Sequence, residues 1–363
     1  MNRKNTREPK NEIQVASGYK IAAHRDRVLA YLRGEPIFPV SLELDLTSRC
    51  SRACQDCPST RSQTHWELTE KFVNRLLSAL EGNVRGILLT GGEPTISPLF
   101  PGTLALARKK GFRDIAVVTN GSHLGEDRVR EALLACASTI RVSLYDWEES
   151  DCEGTDQIFA RLETLRKQID AQKSHLRIGV SALTSTKRLR RLEKLVKSAV
   201  AAGSHWIYFH PRCRHWDIGQ PQPEALAGVL AEIVRLQGEF SKKIEIDVSA
   251  QRYQDFPLHF NGYHAAHFLF VVGADRKNYL GPEVKYHPGF VTADLNNGFR
   301  DDFLRDPLRL ERISSYTSDN YQALGSRHRG VLYNDFIERL KRGEPASEQI
   351  LIRPPLFRFP NIL

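Results

Sequence analysis

The stretch Leu44–Thr60, LDLTSRCSRACQDCPST, places Cys50, Cys54 and Cys57 at spacings of four and three. Three thiols are too many for one disulfide, and a structural zinc site wants a fourth ligand. Just upstream, FPVSLELDL (Phe38–Leu46) has the composition and alternation of a strand. Downstream, ELTEKFVNRLLSALEG carries Leu68, Phe72, Leu76 and Leu80 on one helical stripe. The three cysteines therefore sit in the loop that leaves the C-terminal end of a strand and enters a helix.

That unit repeats. GILLT leads into PLFPGTLALARKKG, DIAVVTNG into EDRVREALLACA, and TIRVSLY into DQIFARLETLRKQIDAQ. HLRIGVSAL leads into KRLRRLEKLVKSAVAAG, and HWIYFHP into PEALAGVLAEIVRLQ. About six strand–helix units predict an α/β fold, a partial (β/α)6 TIM-type barrel with a smaller C-terminal α+β extension. The expected division is a basic helical lead-in over residues 1–37, the barrel over 38–240, and a substrate-capping extension over 241–363. In a barrel of this kind the chemistry gathers at the C-terminal ends of the strands, where the cysteine loop lies.

Three thiolates can hold three irons of a 4Fe–4S cluster and leave the fourth open to an exogenous ligand. A zinc site completed by His65 or Asp56 is the competing reading, and it leaves a second motif unexplained. That motif is GGEP, Gly91–Pro94, at the end of the second strand. Together, Cys-x3-Cys-x2-Cys after strand one and GGEP after strand two resemble the radical S-adenosylmethionine (radical SAM) superfamily. The resemblance covers about Pro39 to Pro211 and implies a 4Fe–4S cluster on Cys50, Cys54 and Cys57, with S-adenosylmethionine (AdoMet) on the open iron. It places Gly91, Gly92, Glu93 and Pro94 at the AdoMet methionine, with Glu93 facing the ammonium. VVTNG and RVSLY look like the family's third and fourth strands, which puts Asn120 and Ser143 near the cofactor, with Ser181 and Thr184 as further candidates from the fifth. The family often carries an aromatic residue near the last cluster cysteine; here Asp56 occupies that slot.

Outside these motifs, HWIYFHPRCRHWDIGQ sets His210, Arg212, Cys213 and Arg214 at the end of the sixth strand. Arginines there can clamp a phosphate or carboxylate. Cys213 can return hydrogen to a product radical, so Cys213, Arg212 and Arg214 are the catalytic candidates. A basic loop with a core cysteine is the plainer reading. His259, His264 and His267 have spacings open to a metal, although no carboxylate or cysteine accompanies them. Cys136 falls on an apolar helical stripe and reads as a small core residue; no function attaches to Cys152.

No cysteine follows Cys213, so the extension lacks the ligands of the auxiliary clusters that many relatives in the superfamily carry. HFLFVVGADRKNYLG still reads as a strand, a turn and a second strand. DDFLRDPLRLERISS and YNDFIERLKRGE read as amphipathic helices over the barrel mouth, and IRPPLFRFPNIL as an extended surface tail.

The chain has 363 residues, 26% of them charged, and a formal net charge of +9. The basic balance points to an anionic partner, a nucleotide or DNA. No apolar run is long enough to span a membrane, and the charged start shows no secretory signal, so a cytoplasmic enzyme is expected. Its reaction is expected to draw one electron at a time from a flavodoxin or ferredoxin. The favoured activity is radical rearrangement or isomerisation of a modified nucleoside or DNA base, as in thymidine hypermodification. The alternatives are radical modification of a sugar or nucleoside metabolite in antibiotic-type biosynthesis, modification of a peptide, and a non-catalytic zinc-binding nucleic-acid module.

Overall fold

The computed structural model describes residues 17–54, 57, 59, 62, 64–145, 153–211, 223–253, 259–296, 302–321 and 329–363. One sheet organises them. Its strands are β1 (Ser41–Asp45), β2 (Gly86–Thr90), β3 (Asp114–Thr119), β4 (Thr139–Leu144), β5 (Arg177–Thr184), β6 (Trp206–Pro211), β7 (Glu245–Val248), β8 (Leu269–Val272), β9 (Lys277–Tyr279) and β10 (Val291–Asp294). Their spatial order is β10-β9-β8-β1-β2-β3-β4-β5-β6-β7. Pairing is parallel from β8 through β7, and β9 and β10 add an antiparallel edge. Parallel neighbours require crossovers, which most of the helices supply.

Before the sheet lies α1 (Arg25–Leu32). The crossover helices are α2 (Glu70–Leu80), α3 (Phe100–Lys109), α4 (Asp127–Cys136), α5 (Glu153–Gln172), α6 (Leu192–Ala201) and α7 (Pro223–Phe240). After β7 come the single turn α8 (Ala265–Phe268), then α9 (Pro307–Ser315), α10 (Arg329–Lys341) and α11 (Pro345–Ile352). Local chemistry explains the starts and stripes. Thr69 caps α2 by accepting the Phe72 N–H, and Phe72, Val73, Leu76, Leu77 and Leu80 form its buried face.

Strand alternation sorts the residues into two layers. Leu42, Leu44, Ile87, Leu89, Ile140, Val142, Ile178, Val180, Ile207 and Phe209 join the helices in one continuous core. Their alternates, among them Glu43, Asp45, Arg141, Ser143, Ser181, Tyr208 and His210, occupy the other face of the sheet. A second core joins the lead-in and the extension: Ile21, Val28 and Val40 pack with Phe268, Phe336, Ile337 and Leu363.

Three expectations change. The parallel sheet continues past residue 240, because β7 pairs with β6 and β8 closes onto β1; eight parallel strands replace the six read from the sequence. Helices α9 and α10 form as expected, but α10 packs in the second core beside Val40 and Phe268, which precede β1 and β8. That is the end of the strands opposite the cysteine loop. The Pro-rich tail, finally, is docked rather than laid along the surface. Asn361 donates its backbone N–H (3.0 Å) and side-chain amide (2.8 Å) to Asp114 Oδ2, and Arg358 pairs with Glu245. His24 Nε2 lies 2.8 Å from the Pro360 carbonyl oxygen. Ile362 packs with Leu88 and Ala116, because the tail's apolar residues meet apolar inner positions of β2 and β3. Asp114, Gly86 and Glu245 each begin a strand, so this segment lies across the N-terminal ends of β2, β3 and β7.

Candidate functional site

At the opposite ends of the strands, the cysteine loop and GGEP are laced together by backbone. Gly92 N–H donates to Thr47 O (2.9 Å), Glu93 N–H to Arg49 O (2.8 Å), and Ser59 Oγ–H to Gly91 O (2.9 Å). Both glycines are required by geometry. Gly91 sits at φ +125, where L side chains are strained. A Cβ on it would stand 2.5 Å from Thr47 O, and one on Gly92 would stand 2.0 Å from Arg49 O.

Glu93 is 0% exposed and its carboxylate is filled from within the protein. Oε1 accepts from Thr95 N (3.2 Å), Thr95 Oγ1 (2.6 Å) and Thr119 Oγ1 (2.6 Å), while Oε2 accepts the Asn120 N–H at 2.6 Å. These bonds clamp the end of β2 to the end of β3. Pro94 then opens a short 3-10 turn, Pro94–Ile96, for which Glu93 is the N-cap.

Asn120 reaches toward the cysteines. Its Nδ2 lies 3.7 Å from Cys50 Sγ and 3.0 Å from Ser51 Oγ, and its Oδ1 accepts the Ser122 N–H at 2.9 Å. The Cys57 N–H donates to Cys54 O (3.2 Å), which tightens the loop. None of Cys50, Cys54, Cys57 and Cys136 is in a disulfide. Burial pushes the Cys50 thiol up, opposed by hydrogen bonds from the Arg52 N–H and Asn120; binding to a metal would remove its proton. By type this donor set suits an iron–sulfur cluster, three thiols on one loop with an amide donor near one sulfur, although among the described residues no three His, Cys, Asp or Glu side chains are gathered as they would be around a metal ion.

Ser143 and Ser181 are register partners on β4 and β5. Ser181 Oγ is buried with no hydrogen-bond partner among the described residues. Thr184 is committed elsewhere, donating to His210 O (3.1 Å) and meeting Tyr253 OH at 2.7 Å. On β6, Tyr208 and His210 stack 5.1 Å apart, Tyr145 meets His210 edge-on, and Arg252 Nη1 donates to Tyr208 OH at 2.6 Å. Arg212, Cys213 and Arg214, together with Asp56 and Cys152, lie outside the described residues.

The histidine triplet is not gathered. Both ring nitrogens of His264 are engaged, Nδ1 with Tyr31 OH (2.6 Å) and Nε2 with Glu338 Oε1 (2.7 Å), while His259 is exposed. Cys136 ends α4, half-buried against the main core. Sequence reasoning missed Glu43, Asp45, Lys285 and Tyr286, which meet beneath the Gly91 turn. The available signal was SLELD itself, where polar residues alternate with leucines in a strand that has helices on its other face.

The profile of the Radical SAM superfamily matches residues 44–187, from the end of β1 to just past β5. Residues 44–187 thus match a radical SAM domain. Over 108 residues it is 33% identical to a GTP 3',8-cyclase of Synechococcus sp. (strain CC9902), covering 28% of this chain and 30% of that protein. Over 221 residues it is 26% identical to the PqqA peptide cyclase of Methylocella silvestris, 58% of each chain. The chain thus spans between about a third and three fifths of these curated relatives. Two solved structures share the fold at 14% identity. Streptococcus suis SuiB bound to S-adenosylmethionine has a TM-score of 0.60 over 100% of this chain and 83% of that one. anSMEcpe with bound AdoMet has a TM-score of 0.58 over 86% of this chain and 100% of that one. The cofactors of a radical SAM domain are a 4Fe–4S cluster and AdoMet. The match extends past the cysteines to GGEP and the next three strands, which a zinc-binding module does not explain. Among the described residues no helix is long and apolar enough to cross a membrane.

Proposed function

We propose that this protein is a radical SAM enzyme acting on a nucleotide-bearing substrate, a modified nucleoside or a base within DNA. With a cluster and AdoMet bound, the chemistry supplied is one-electron cleavage of AdoMet and removal of hydrogen from the substrate by the resulting 5'-deoxyadenosyl group. A flavodoxin or ferredoxin is the proposed source of the electron. Cys50, Cys54 and Cys57 hold the cluster, and the Gly91–Gly92 backbone receives the methionine end of AdoMet. Asn120 orients the Cys50 sulfur, and Ser143 and Ser181 offer hydroxyls to the cofactor or substrate.

The observation that carries the substrate class is the lining of β6. Tyr208 is buried, stacked on the half-buried His210 and held by Arg252 on its hydroxyl, which leaves His210 as the ring on this strand open to a planar base. Just after β5, the 3-10 segment Thr186–Arg191 exposes Lys187, Arg190 and Arg191 at the same ends of the strands as the cysteine loop. Arg212, Arg214 and Cys213 extend this proposal as phosphate clamps and a hydrogen donor. Rearrangement of a base substituent is the proposed outcome.

A peptide substrate is the second reading. It is favoured by the PqqA peptide cyclase match, which covers twice the share of this chain that the GTP 3',8-cyclase match covers. Affinity measured across salt for DNA, a mononucleotide and an acidic peptide separates the readings. Binding to DNA should fall with log[salt] at about 0.7 to 0.9 per phosphate neutralised, and Arg212→Ala and Arg214→Ala should each lower that slope. Turnover is then followed by mass spectrometry after anaerobic reconstitution. Absence of DNA and nucleotide binding at low salt, with turnover of a peptide, replaces the first reading by the second.

A further inference from the structure

We propose that Lys285 and Tyr286 are positioning residues that fix the floor of the AdoMet-binding turn, an inference that rests on the radical SAM reading above. Asp45 ends β1, five residues before Cys50. Its Oδ1 accepts from Lys285 Nζ at 2.7 Å and its Oδ2 from the Tyr286 hydroxyl at 2.8 Å. Lys285 Nζ also donates to Glu43 Oε1 at 3.0 Å. Asp45 is 0% exposed, and Glu43 and Lys285 are 4% exposed each.

Removing three charged groups from water in this way is costly before their mutual attraction is counted. Apolar residues of similar volume would stabilise a barrel wall at least as well, so stability alone is a poor account of the cluster. Its location supplies a better one. A Cβ placed on Gly91 would stand 3.1 Å from Asp45 Cβ, so the Asp45 side chain is itself part of the surface on which that turn rests. The network therefore fixes the strand end that supports the turn and feeds the cysteine loop.

The way the extension delivers the two side chains supports the same conclusion. Lys285 and Tyr286 lie between the 3-10 turns Pro282–Val284 and Pro288–Phe290. Tyr286 is held at φ 62, the left-handed region, where an L residue is strained. This backbone sends adjacent side chains to the two oxygens of one carboxylate. The Tyr286 hydroxyl accepts the Ala274 N–H at 3.2 Å while donating to Asp45, so it also ties in the β8–β9 turn. Burial opposes charge on Lys285, but Asp45 and Glu43 outweigh it and hold the ammonium above its usual range. The extension thus grips the cradle through a permanent cation and one tyrosine hydroxyl.

The test uses the full chain, reconstituted anaerobically with iron and sulfide, as wild type, Lys285→Met and Tyr286→Phe. Four quantities are read: iron per chain, thermal midpoint, AdoMet affinity, and the change in the reduced-cluster electron paramagnetic resonance spectrum on adding AdoMet. Tyr286→Phe should keep iron near wild type and lower the midpoint by the loss of its bonds to Asp45 and Ala274, and should in addition weaken AdoMet severalfold and alter the AdoMet-dependent spectrum. Lys285→Met should show the same defect more strongly. If Lys285→Met does not fold, the isosteric Tyr286→Phe decides. Wild-type AdoMet affinity and spectrum in the variants that fold would overturn the positioning role. A wild-type chain that assembles no cluster would instead overturn the radical SAM reading.

Discussion

The Glu93 carboxylate accepts the Asn120 backbone N–H at 2.6 Å, which joins the ends of β2 and β3 across 27 residues of sequence. Because Oε1 also takes three hydrogen bonds, Glu93→Gln cannot be neutral. An amide at either position turns a donor toward a donor. The variant should lose about 1–3 kcal/mol of stability, the cost of leaving a buried polar group unmatched. Urea unfolding of the chain measures this, and an unchanged midpoint and slope would remove Glu93 from the clamp role.

Cys50→Ala, Cys54→Ala and Cys57→Ala should each abolish 5'-deoxyadenosine formation and strip most of the iron, since each removes one of three thiolate anchors. Cys136→Ala should leave both readings near wild type, because that thiol only packs beside the main core. Iron and sulfide analysis with chromatography of the nucleoside product checks the pair of outcomes.

Gly92→Ala addresses the turn directly. Its new Cβ would stand 2.0 Å from Arg49 O and 2.6 Å from Ser48 O, both backbone atoms of the cysteine loop, so the loop must move. AdoMet-dependent cleavage should be lost, while Gly102→Ala, where a Cβ meets nothing within 4 Å, should be tolerated. Product formation and circular dichroism of the two variants make the comparison.

Acid should loosen the docked tail. Burial is the main cause holding His24 down, to about 4, with Arg27 and Arg85 adding to it and Asp26 and the Pro360 carbonyl opposing. Burial likewise holds His205 at about 4. These folded values lie below the ordinary 6.5 of an unfolded chain, so the unfolded state binds more protons between them. Stability is therefore full above about pH 6.5 and falls as pH drops toward 4. Denaturation midpoints across that window should decline, and His24→Gln should flatten the decline.

The features read correctly from sequence were those with local chemistry. The β8–β9 hairpin followed from an apolar run broken by Gly273–Ala274–Asp275, and α2 from its apolar stripe. At the candidate site, the residue types of Cys50 and Gly91 were legible because spacing and bare backbone announce them. Long-range pairing was not legible. Lys285 and Asp45 are separated by 240 residues, and nothing in PEVKYHP names its partner. The use of Glu93 was hidden for a different reason: a motif specifies a carboxylate but not which donors surround it. Strand β7 was passed over because IEIDV is short, although α7 leads into it as a crossover from β6.

The docking of Arg358–Leu363 against the starts of β2, β3 and β7 bears on how the molecule is made. Asn361 and Asp114 are 247 residues apart, and synthesis at about 5–20 residues per second delivers the later one many seconds after the earlier. Throughout that interval the emerging chain has Leu88 and Ala116 on β2 and β3 without Ile362 to cover them. Such a topology, rich in distant pairings, folds slowly. The nascent protein is then most vulnerable to aggregation at the end of the sheet remote from its chemistry, and chains released before Arg358 should be recovered mainly in the insoluble fraction.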